Sequence, residues 1–551
     1  MRRRALLVTS LVVVAAGAWS LRQWFERHNT LPPVTPFELE FDDRVPLASL
    51  PVLPDRAPEP TRAEQLEQRL AALAAAIERR RGTDVVPGLV EFDVEKLSAD
   101  INAVLTNVGD DAQVSIHIRD LRTGHVLFDD YGDTPLIPAS NQKLLTSAAA
   151  LELLGPDYTF VTSVVRDADA VYLVGHGDPT LQVADLESIA TAVAPAIDAS
   201  VQRLVFDDSA FSHDRLAPGY NAGGPGLAYE PETSALSVGY NYVEVTAAPL
   251  ARERKVGVTT QPAAPTIVID NRARLARKRA LSVISRERDG DTVIEVRGTL
   301  PSRGPKQVER RRVYDPGRVA ASLFAGFLAE QQASMPLPIT RGVAPADAEV
   351  LFEHESPPLM EILDLGLAYS NNFIAEQVLR TLAWRMTGEP GDWAAGDEIL
   401  QGYWSALGRD PEEIVVENGS GLSRAGRLTS AGLVDLITVA SHGAQSGRAL
   451  IDALPVAGEP GTMRTRLRLS GKRVRAKTGT LDDVSGLSGV ITAEDGTPVI
   501  AFSILINARL GANFGASLRN EVEDRIVTAT LFALDDYEAR VAGLASSQSG
   551  G

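Results

Sequence analysis

The chain has 551 residues, which is too long for one ordinary hydrophobic core and predicts roughly two to four domains. Its net charge of −18 argues against nucleic acid as the main partner, because a phosphate backbone attracts basic proteins. The sequence contains no cysteine, which excludes disulfides, thiolate metal sites and a cysteine nucleophile.

Residues 1–21 have the pattern of an export segment. The basic stretch MRRR precedes an uncharged apolar run, ALLVTSLVVVAAGAWSL, in which Ala16 and Ala18 could form a signal-peptidase cleavage site. The run is at the short end of what crosses a bilayer as a helix, and Trp19 and Trp24 would suit a membrane interface. A cleaved signal peptide and a retained membrane anchor both stay open. Each would place the rest of the chain in the periplasm or at the exterior of the cell envelope.

Residues 22–83 predict a linker followed by a helix. Prolines recur between residues 30 and 60, which is typical of a semi-extended spacer without a core of its own. The stretch TRAEQLEQRLAALAAAIERRRG then aligns four apolar residues on one stripe of a helix: Leu66, Leu70, Leu73 and Ile77. We expect this helix to dock on the main domain, and a short coiled coil is the alternative.

The rest of the chain predicts a main domain that is interrupted by an insert. Residues 84–157 begin the main domain with a hairpin, AQVSIHIRD and HVLFDD, and then a helix. Residues 158–315 are dense in short β-like runs, such as RLVFDDS and TVIEVRG, and predict one or two β-rich insert domains. Residues 316–543 return to helical patterns and end as strand, Asp-Gly turn, strand and helix. The polar residues 544–551 are expected to form a disordered tail.

The stretch PASNQKLLTSAAALELLG combines a serine with a scarce lysine. Lysine supplies only seven of the 54 basic residues, and Lys143 follows Ser140 by one helical turn. Pro138 places Ser140 near the start of a helix, where i, i+3 spacing puts both side chains on one face. A lysine desolvated against an apolar helix can lose its proton and activate a serine hydroxyl. By itself this Ser-x-x-Lys pattern is a weak signal, because it often arises by chance.

Two further short motifs follow later in the chain. Ser370 and Asn372, in AYSNNFIAEQ, lie between two helical stretches and predict a tight connection that faces a cleft. Lys477, Thr478 and Gly479, in VRAKTGT, lie on a predicted strand. There an ammonium and a hydroxyl could bind a carboxylate, and the glycine could let a substrate backbone approach closely. Taken singly, Ser-x-Asn is more often a capping or turn pair, and Lys-Thr-Gly is better explained as a strand that ends in a turn.

Together, Ser-x-x-Lys, Ser-x-Asn and Lys-Thr-Gly in this order are a signature of penicillin-binding proteins and class A β-lactamases. The segments GHGDPTL, YSNNFIAEQVL, ENGSGLSR and AKTGTLDDVSGLSG narrow the resemblance. Over roughly residues 95–540 the chain resembles the D-alanyl-D-alanine carboxypeptidase/endopeptidase family of class C low-molecular-mass penicillin-binding proteins, peptidase family S13. The departures, Asn371 and Asn418 for Asp and His176 for Gly, remove no catalytic group.

This resemblance implies the fold and the role of each motif residue. The fold would be α+β, of the β-lactamase/DD-peptidase-like transpeptidase type, with an antiparallel sheet flanked by helices and interrupted by β-rich inserts. Ser140 would attack the carbonyl between two terminal D-alanines of a peptidoglycan stem peptide, or that of a D-Ala–diaminopimelate crosslink. Lys143 would act as base and Ser370 as donor to the departing amine. Lys477 would tune the pKa of Ser370, Asn372 would hold the substrate backbone, and Thr478 would bind the free carboxylate. Gly479 would let the substrate backbone approach closely, and the N–H groups of Ser140 and Thr480 would form the oxyanion hole.

The implied activity needs no cofactor and no metal, and it makes β-lactams covalent inhibitors. The histidines show no HExxH or other metal spacing, which disfavours a zinc peptidase. A β-lactamase, which would lack the insert, and a catalytically dead wall-binding protein are the alternatives. The basic run RARLARKR, residues 272–279, is expected to be a solvated face, with contact to anionic wall polymers as its alternative. The preference between carboxypeptidase and endopeptidase activity stays open.

Overall fold

The computed structural model describes residues 62–81 and 92–549, apart from residues 107, 109–110, 333–335, 444 and 510–515. The predicted export segment and the proline-rich linker lie outside the described residues. Within this described part, no helix has both the length and the apolar composition needed to cross a membrane.

The described residues form helices and strands of comparable weight, which confirms the predicted α+β class. The helices are α1 (Arg62–Arg81), α2 (Val94–Leu105), α3 (Gln142–Leu153), α4 (Val183–Val193), α5 (Pro316–Gln332), α6 (Leu359–Ala368), α7 (Asn372–Thr387), α8 (Trp393–Ala406), α9 (Ser430–Ser441), α10 (Gln445–Asp452) and α11 (Ala516–Ser549). The strands are β1 (Ala112–Asp120), β2 (Val126–Asp130), β3 (Val161–Asp167), β4 (Ala170–Gly175), β5 (Arg203–Asp207), β6 (Tyr242–Leu250), β7 (Lys255–Gln261), β8 (Ile267–Asn271), β9 (Arg274–Ala276), β10 (Ala280–Arg288), β11 (Asp291–Pro301), β12 (Gln307–Arg312), β13 (Ile339–Arg341), β14 (Glu349–Glu355), β15 (Val474–Thr480), β16 (Val484–Thr492) and β17 (Pro498–Ala508).

The main sheet is antiparallel and has the strand order β15-β16-β17-β1-β2. The predicted hairpin forms its β1–β2 edge, and β1 pairs along its whole length with β17, so that Ile116 faces Ile504. Helices cover both faces of the sheet, and alternate residues of β17 therefore belong to two different hydrophobic cores. Leu505 packs with α9 and the helical side, whereas Ile504 and Ile506 pack with α2 and α11. Strands buried on both faces often form a nearly continuous apolar run, as β17 does, whereas the equally buried β16 alternates apolar residues with serine and glycine.

The helical side of the main domain packs around α3, the helix that follows Ser140. Every residue of α3 except Glu152 is buried, which explains its run of leucine, alanine and small polar residues. The predicted helix at the N-terminal side of the main domain is α1, and its Ile77 is buried in the same core. Leu70 of α1 lies so close to Gly402 that a Cβ there would come within 2.7 Å of its Cδ1. This helix therefore docks on the main domain.

The predicted insert contains three sheets, with the orders β13-β5-β4-β3-β14, β12-β6-β7 and β10-β11-β8, the last extended by β9. Its predicted end at residue 315 is wrong. β13 pairs with β5 and β14 pairs with β3, so the chain leaves this sheet only after Glu355. α5 likewise packs with α4 and β5 and contributes to the core of the insert. The sequence had assigned this helix to the main domain. Helical periodicity shows which face of a helix is buried but not which element covers that face.

The predicted disordered tail, residues 544–551, is also contradicted in part. α11 continues through this segment to Ser549. The sequence LASSQS contains neither glycine nor proline, so a helix that is already nucleated extends through it at little cost. The other predicted domain limits stay predictions.

Candidate active site

Ser140 lies in a single 3₁₀ turn, Ala139–Asn141, directly before α3. Ala139 has a φ of 46°, in the left-handed region that non-glycine residues rarely adopt. The backbone N–H and the side-chain Nδ2 of Asn141 both donate to the Pro138 carbonyl oxygen at 3.1 Å, which closes the turn. The turn thus presents the Ser140 hydroxyl at the N-terminal end of a buried helix, where the helix dipole favours negative charge.

The Lys143 amine is buried beside Ser140, with 1% of the residue exposed. Its Nζ lies 3.1 Å from Ser140 Oγ, 2.7 Å from Asn372 Oδ1 and 2.9 Å from the carbonyl oxygen of Ser420. The amide and carbonyl oxygens can only accept hydrogen bonds. They can take both N–H groups of a neutral amine, which leaves its lone pair for the proton of the Ser140 hydroxyl. This is the arrangement of a base with its nucleophile.

The charge state of Lys143 fits this arrangement. Burial lowers the pKa of Lys143 from 10.5 to about 7, and the negative charge of Glu376 acts in the opposite direction. A general base is most effective when its pKa lies near the working pH. A substantial fraction of Lys143 can therefore be neutral at neutral pH without any further partner.

Ser370 and Lys477 form a second pair of hydroxyl and amine. Ser370 lies in the connection between α6 and α7 and has a φ of 54°, so the predicted tight connection is present. Lys477 Nζ donates to Ser370 Oγ at 3.0 Å and to the Thr478 carbonyl oxygen at 2.7 Å. Burial lowers the pKa of Lys477 well below its usual value, and the charge of Lys143 lowers it further. The two lysines thus interact, and protonation of one disfavours protonation of the other.

Asn372 joins the base to the predicted insert. It is the first residue of α7, after the cap Asn371, and its Oδ1 accepts the hydrogen bond from Lys143. Its Nδ2 donates to the backbone carbonyl of Tyr229 at 2.8 Å. A side-chain amide has two N–H groups, so one more acceptor, such as a substrate carbonyl, can be bound. Asn372 therefore positions Lys143 in addition to the substrate role that the resemblance implies.

The Lys-Thr-Gly motif lies on β15, as predicted, at the edge of the main sheet. Thr478 is half-buried and Thr480 is exposed at the end of the strand, while Gly479 is buried. A Cβ on Gly479 would come within 2.7 Å of both the Pro138 carbonyl oxygen and Asn141 Nδ2. Gly479 therefore allows the turn around Ser140 to approach β15 closely, whereas the sequence had suggested that it lets a substrate backbone approach.

Glu376 is part of the site, and sequence reasoning missed it. It is fully buried on α7, one turn after Asn372. Its carboxylate accepts four hydrogen bonds, from Tyr220 Oη at 3.1 Å, Trp393 Nε1 at 2.9 Å, Gly419 N at 2.9 Å and Ser420 N at 3.0 Å. Glu376 thereby fixes the backbone whose Ser420 carbonyl holds Lys143. The available signal was a carboxylate inside the apolar stretch FIAEQVL, since buried charges are rare unless they are paired.

The chain between β5 and β6, residues 208–241, was also missed. The sequence placed it in the insert, yet its Tyr220 contacts Glu376 and its Tyr229 contacts Asn372. At Gly219 a Cβ would lie only 2.7 Å from the side chain of Ser423, so this segment packs tightly against the loop that contains Ser420. Turn-rich sequence without periodicity carries no local sign of such long-range contacts.

The described residues hold no group of three or more His, Cys, Asp or Glu side chains that could bind a metal ion. The residues that meet around Ser140 are two serines, two lysines, an asparagine and a buried glutamate. A serine hydroxyl beside an amine of lowered pKa is an arrangement that nucleophilic catalysis can use.

The sequence of this chain is similar to those of known carboxypeptidases. The model of the D-Ala-D-Ala carboxypeptidase 3 (S13) family matches residues 97–529. The D-alanyl-D-alanine carboxypeptidase of Actinomadura sp. (strain R39) is 34% identical over 445 residues, which cover 76% of this chain and 82% of that protein. Carboxypeptidase DacB of Mycolicibacterium smegmatis is 27% identical over 453 residues, which cover 76% of this chain and 83% of that protein.

Solved structures show the same fold. Penicillin binding protein 4 from Haemophilus influenzae matches with a TM-score of 0.67 at 20% identity, over 80% of this chain and 100% of that chain. The same protein in complex with a β-lactam matches with a TM-score of 0.64 at 19% identity, over the same shares. Since the family model spans most of the chain and the Actinomadura relative is matched over more than two thirds of its length, the chain belongs to the D-Ala-D-Ala carboxypeptidase 3 (S13) family.

Proposed function

We propose that Ser140 and Lys143 are the nucleophile and the base of this chain's peptidase reaction. As a member of the S13 family, the chain is a penicillin-binding serine D-Ala-D-Ala carboxypeptidase that acts on peptidoglycan peptides. The observation that carries the assignment is the 3.1 Å separation of Lys143 Nζ from Ser140 Oγ, in a site where the lysine pKa falls to about 7.

The acylation step follows from these contacts. Neutral Lys143 takes the proton of the Ser140 hydroxyl while Oγ attacks the carbonyl of the penultimate D-alanine. The oxyanion is stabilised by the backbone N–H groups of Ser140, in the turn before α3, and of Thr480, on β15. The terminal D-alanine leaves as a free amine and receives, through the Ser370 hydroxyl, the proton that Lys143 took, which returns Lys143 to its neutral form. Lys477 contacts Ser370 Oγ at 3.0 Å. Water then attacks the acyl-serine while neutral Lys143 takes its proton. Lys143 returns this proton to Ser140 Oγ as the shortened stem peptide is released.

Substrate binding uses the remaining motif residues. Thr478, on β15, offers its hydroxyl to the free carboxylate of the substrate. Asn372 offers its second N–H to a carbonyl of the stem peptide. Gly479 keeps the strand in contact with the turn around Ser140, which holds the carboxylate site and the nucleophile at a fixed separation.

β-Lactams inhibit by the same route. Ser140 attacks the lactam carbonyl, the C–N bond breaks, and the amine stays covalently attached to the acyl group. The leaving group therefore cannot diffuse away, which slows the attack of water. The β-lactam bound in the Haemophilus influenzae structure supports this assignment through the shared fold.

The deciding experiment offers the purified chain a soluble stem pentapeptide and, separately, crosslinked stem dimers. We expect release of D-alanine from the first and of monomers from the second, and loss of both in Ser140→Ala. Fluorescent penicillin should label the unchanged chain and leave this variant unlabelled. Turnover retained in Ser140→Ala would contradict the assignment, and activity on the pentapeptide alone would restrict the enzyme to carboxypeptidase activity.

Export through residues 1–21 completes the proposal, because the substrate lies outside the cytoplasm. It rests on the basic MRRR stretch, the uncharged apolar run and the small residues Ala16 and Ala18. Fractionation of cells that express the full chain should place the protein in the envelope or outside the cell. Mass spectrometry of its N-terminus distinguishes a cleaved signal from a retained anchor, and a cytoplasmic protein would refute export.

A further inference from the structure

One end of the insert concentrates positive charge on its surface. We call this surface the basic tip. It consists of exposed side chains from three segments, namely Arg252, Arg254 and Lys255 of residues 251–255, Arg274, Arg277, Lys278 and Arg279 of residues 273–279, and Arg303 and Lys306 of residues 302–306. Arginine supplies most of them, and arginine forks bind carboxylates through two parallel hydrogen bonds.

The three segments lie side by side. β6 pairs with β12 so that Ala247 faces Gln307, which brings the start of β12 near the β6–β7 turn at residues 251–254. β9 pairs with the end of β11, where Ala276 faces Pro301. The Arg279 side chain donates to the Pro305 carbonyl at 2.8 Å and so ties the second segment to the third.

Little negative charge balances this surface. The three segments contain a single acid, Glu253, which pairs with Lys255. Within the described part of the chain, no ion pair uses the other basic side chains of the tip. The protein as a whole carries a net charge of −18, so the positive charge of the basic tip is opposite in sign to the net charge of the protein. Clustered like charges repel one another, and an anionic partner removes that repulsion.

The basic tip is connected to the active site through one strand. β10 begins at Ala280, next to the tip, and its Ser285 N–H donates to the Pro225 carbonyl at 3.1 Å. Five residues of strand span about 17 Å. The segment beyond Pro225 leads to Tyr229, whose carbonyl binds Asn372 beside Lys143. The tip therefore lies within reach of neighbouring parts of a polymer that occupies the active site.

We propose that the basic tip binds free carboxylates of stem peptides that neighbour the one being cleaved, so that the enzyme prefers polymeric peptidoglycan to isolated peptides. This rests on the proposed function, in which each uncleaved stem ends in a free carboxylate. Single exposed ion pairs contribute little, but several that bind along one polymer act together.

The test compares two variants of the full chain with the same change in net charge. The tip variant is Arg277→Gln, Lys278→Gln and Arg303→Gln. The control variant replaces three exposed arginines elsewhere, Arg448→Gln, Arg468→Gln and Arg525→Gln. Binding is measured by co-sedimentation with insoluble peptidoglycan that has been freed of phosphate-containing polymers, and turnover is measured on that material and on a soluble pentapeptide.

We expect the tip variant to bind peptidoglycan about tenfold more weakly at low salt and to lose turnover on it in proportion, with pentapeptide turnover unchanged. The control variant should behave like the unchanged chain, and amidation of the peptidoglycan carboxylates should abolish the difference. Equal loss in both variants, no loss in the tip variant, or binding that requires the phosphate polymers would overturn the proposal. Failure of the proposed function is distinct, because the unchanged chain would then leave the pentapeptide intact.

Discussion

The substitution Lys143→Arg tests whether the amine at this position is the base. The pKa of Lys143 is about 7, so about half of the molecules carry a neutral amine at pH 7 and about 1% at pH 5. An ordinary lysine with a pKa of 10.5 would be neutral in roughly one molecule in 3,000 at pH 7. The difference between these two pKa values means that the site favours the neutral amine by about 5 kcal/mol more than water does. A guanidinium at the same place keeps its proton and cannot accept another.

The assay is the rate of acylation of Ser140 by a fluorescent penicillin between pH 5 and pH 9. Because the neutral amine is the active form, the rate should rise about tenfold per pH unit below pH 7 and become constant above it. For Lys143→Arg we expect a loss of about 10²- to 10⁴-fold and no such rise. Lys306→Arg, an exposed lysine of the basic tip, makes the same chemical change and should leave the profile unaltered.

Two results would refute this reasoning. A rate that is independent of pH over this interval would show that no group with a pKa near 7 controls acylation. A rise that persists in Lys143→Arg would assign the titration to another group, and Lys477 is then the first candidate because its pKa is also lowered. Circular dichroism of the variant distinguishes either result from misfolding.

Three further substitutions test the parts that support the base. Glu376→Gln removes the charge that raises the pKa of Lys143, so the rise in acylation rate should move to lower pH, and a shift to higher pH would contradict this. Because the new amide group faces buried N–H donors, the variant should also lose about 1–3 kcal/mol of stability in thermal unfolding. Gly479→Ala should lower the free energy of unfolding by about 1–3 kcal/mol and slow acylation, because its Cβ meets a backbone oxygen at 2.7 Å. The control Gly326→Ala, in α5, places its Cβ in open space and should be neutral or stabilising. Equal effects of the two substitutions would exclude steric conflict as the cause. Ser370→Ala should fold normally and lower pentapeptide turnover about 10²- to 10⁴-fold, as measured by D-alanine release, and turnover at the original rate would exclude Ser370 as the proton donor.

The motif residues could be predicted because their chemistry leaves a local pattern. Ser140 and Lys143 are one helical turn apart, and the structure places them at hydrogen-bonding distance. Ser370 and Lys477 come from distant parts of the chain, and only the resemblance to a family predicted that they would meet. Glu376 had no such guide. Its partners are two aromatic side chains and two backbone N–H groups, and a backbone N–H has no sequence identity that could mark it.

The fold was predictable where the hydrophobic pattern of two strands flanks a recognisable turn sequence. The β1–β2 hairpin and the β16–β17 hairpin both combine alternating or apolar runs with a short turn, and both are present. The limits of the insert were not predictable, because β13 has only three residues and both β13 and β14 rejoin a sheet whose other strands precede them by more than a hundred residues. Pairing at that separation depends on tertiary packing, which a local window does not contain.

The pairing of Ile116 with Ile504 also bears on how the enzyme matures. β1 has no neighbour on one side until β17, close to the end of the chain, has been made and delivered. Contacts between such distant segments form late, since a long loop must close before they contribute. The turn with Ser140 packs against β15, from the same late part of the chain. Shortened chains that lack this last portion would carry the serine and the lysine but not an assembled catalytic centre, so incomplete copies would be inert toward penicillin and toward the wall.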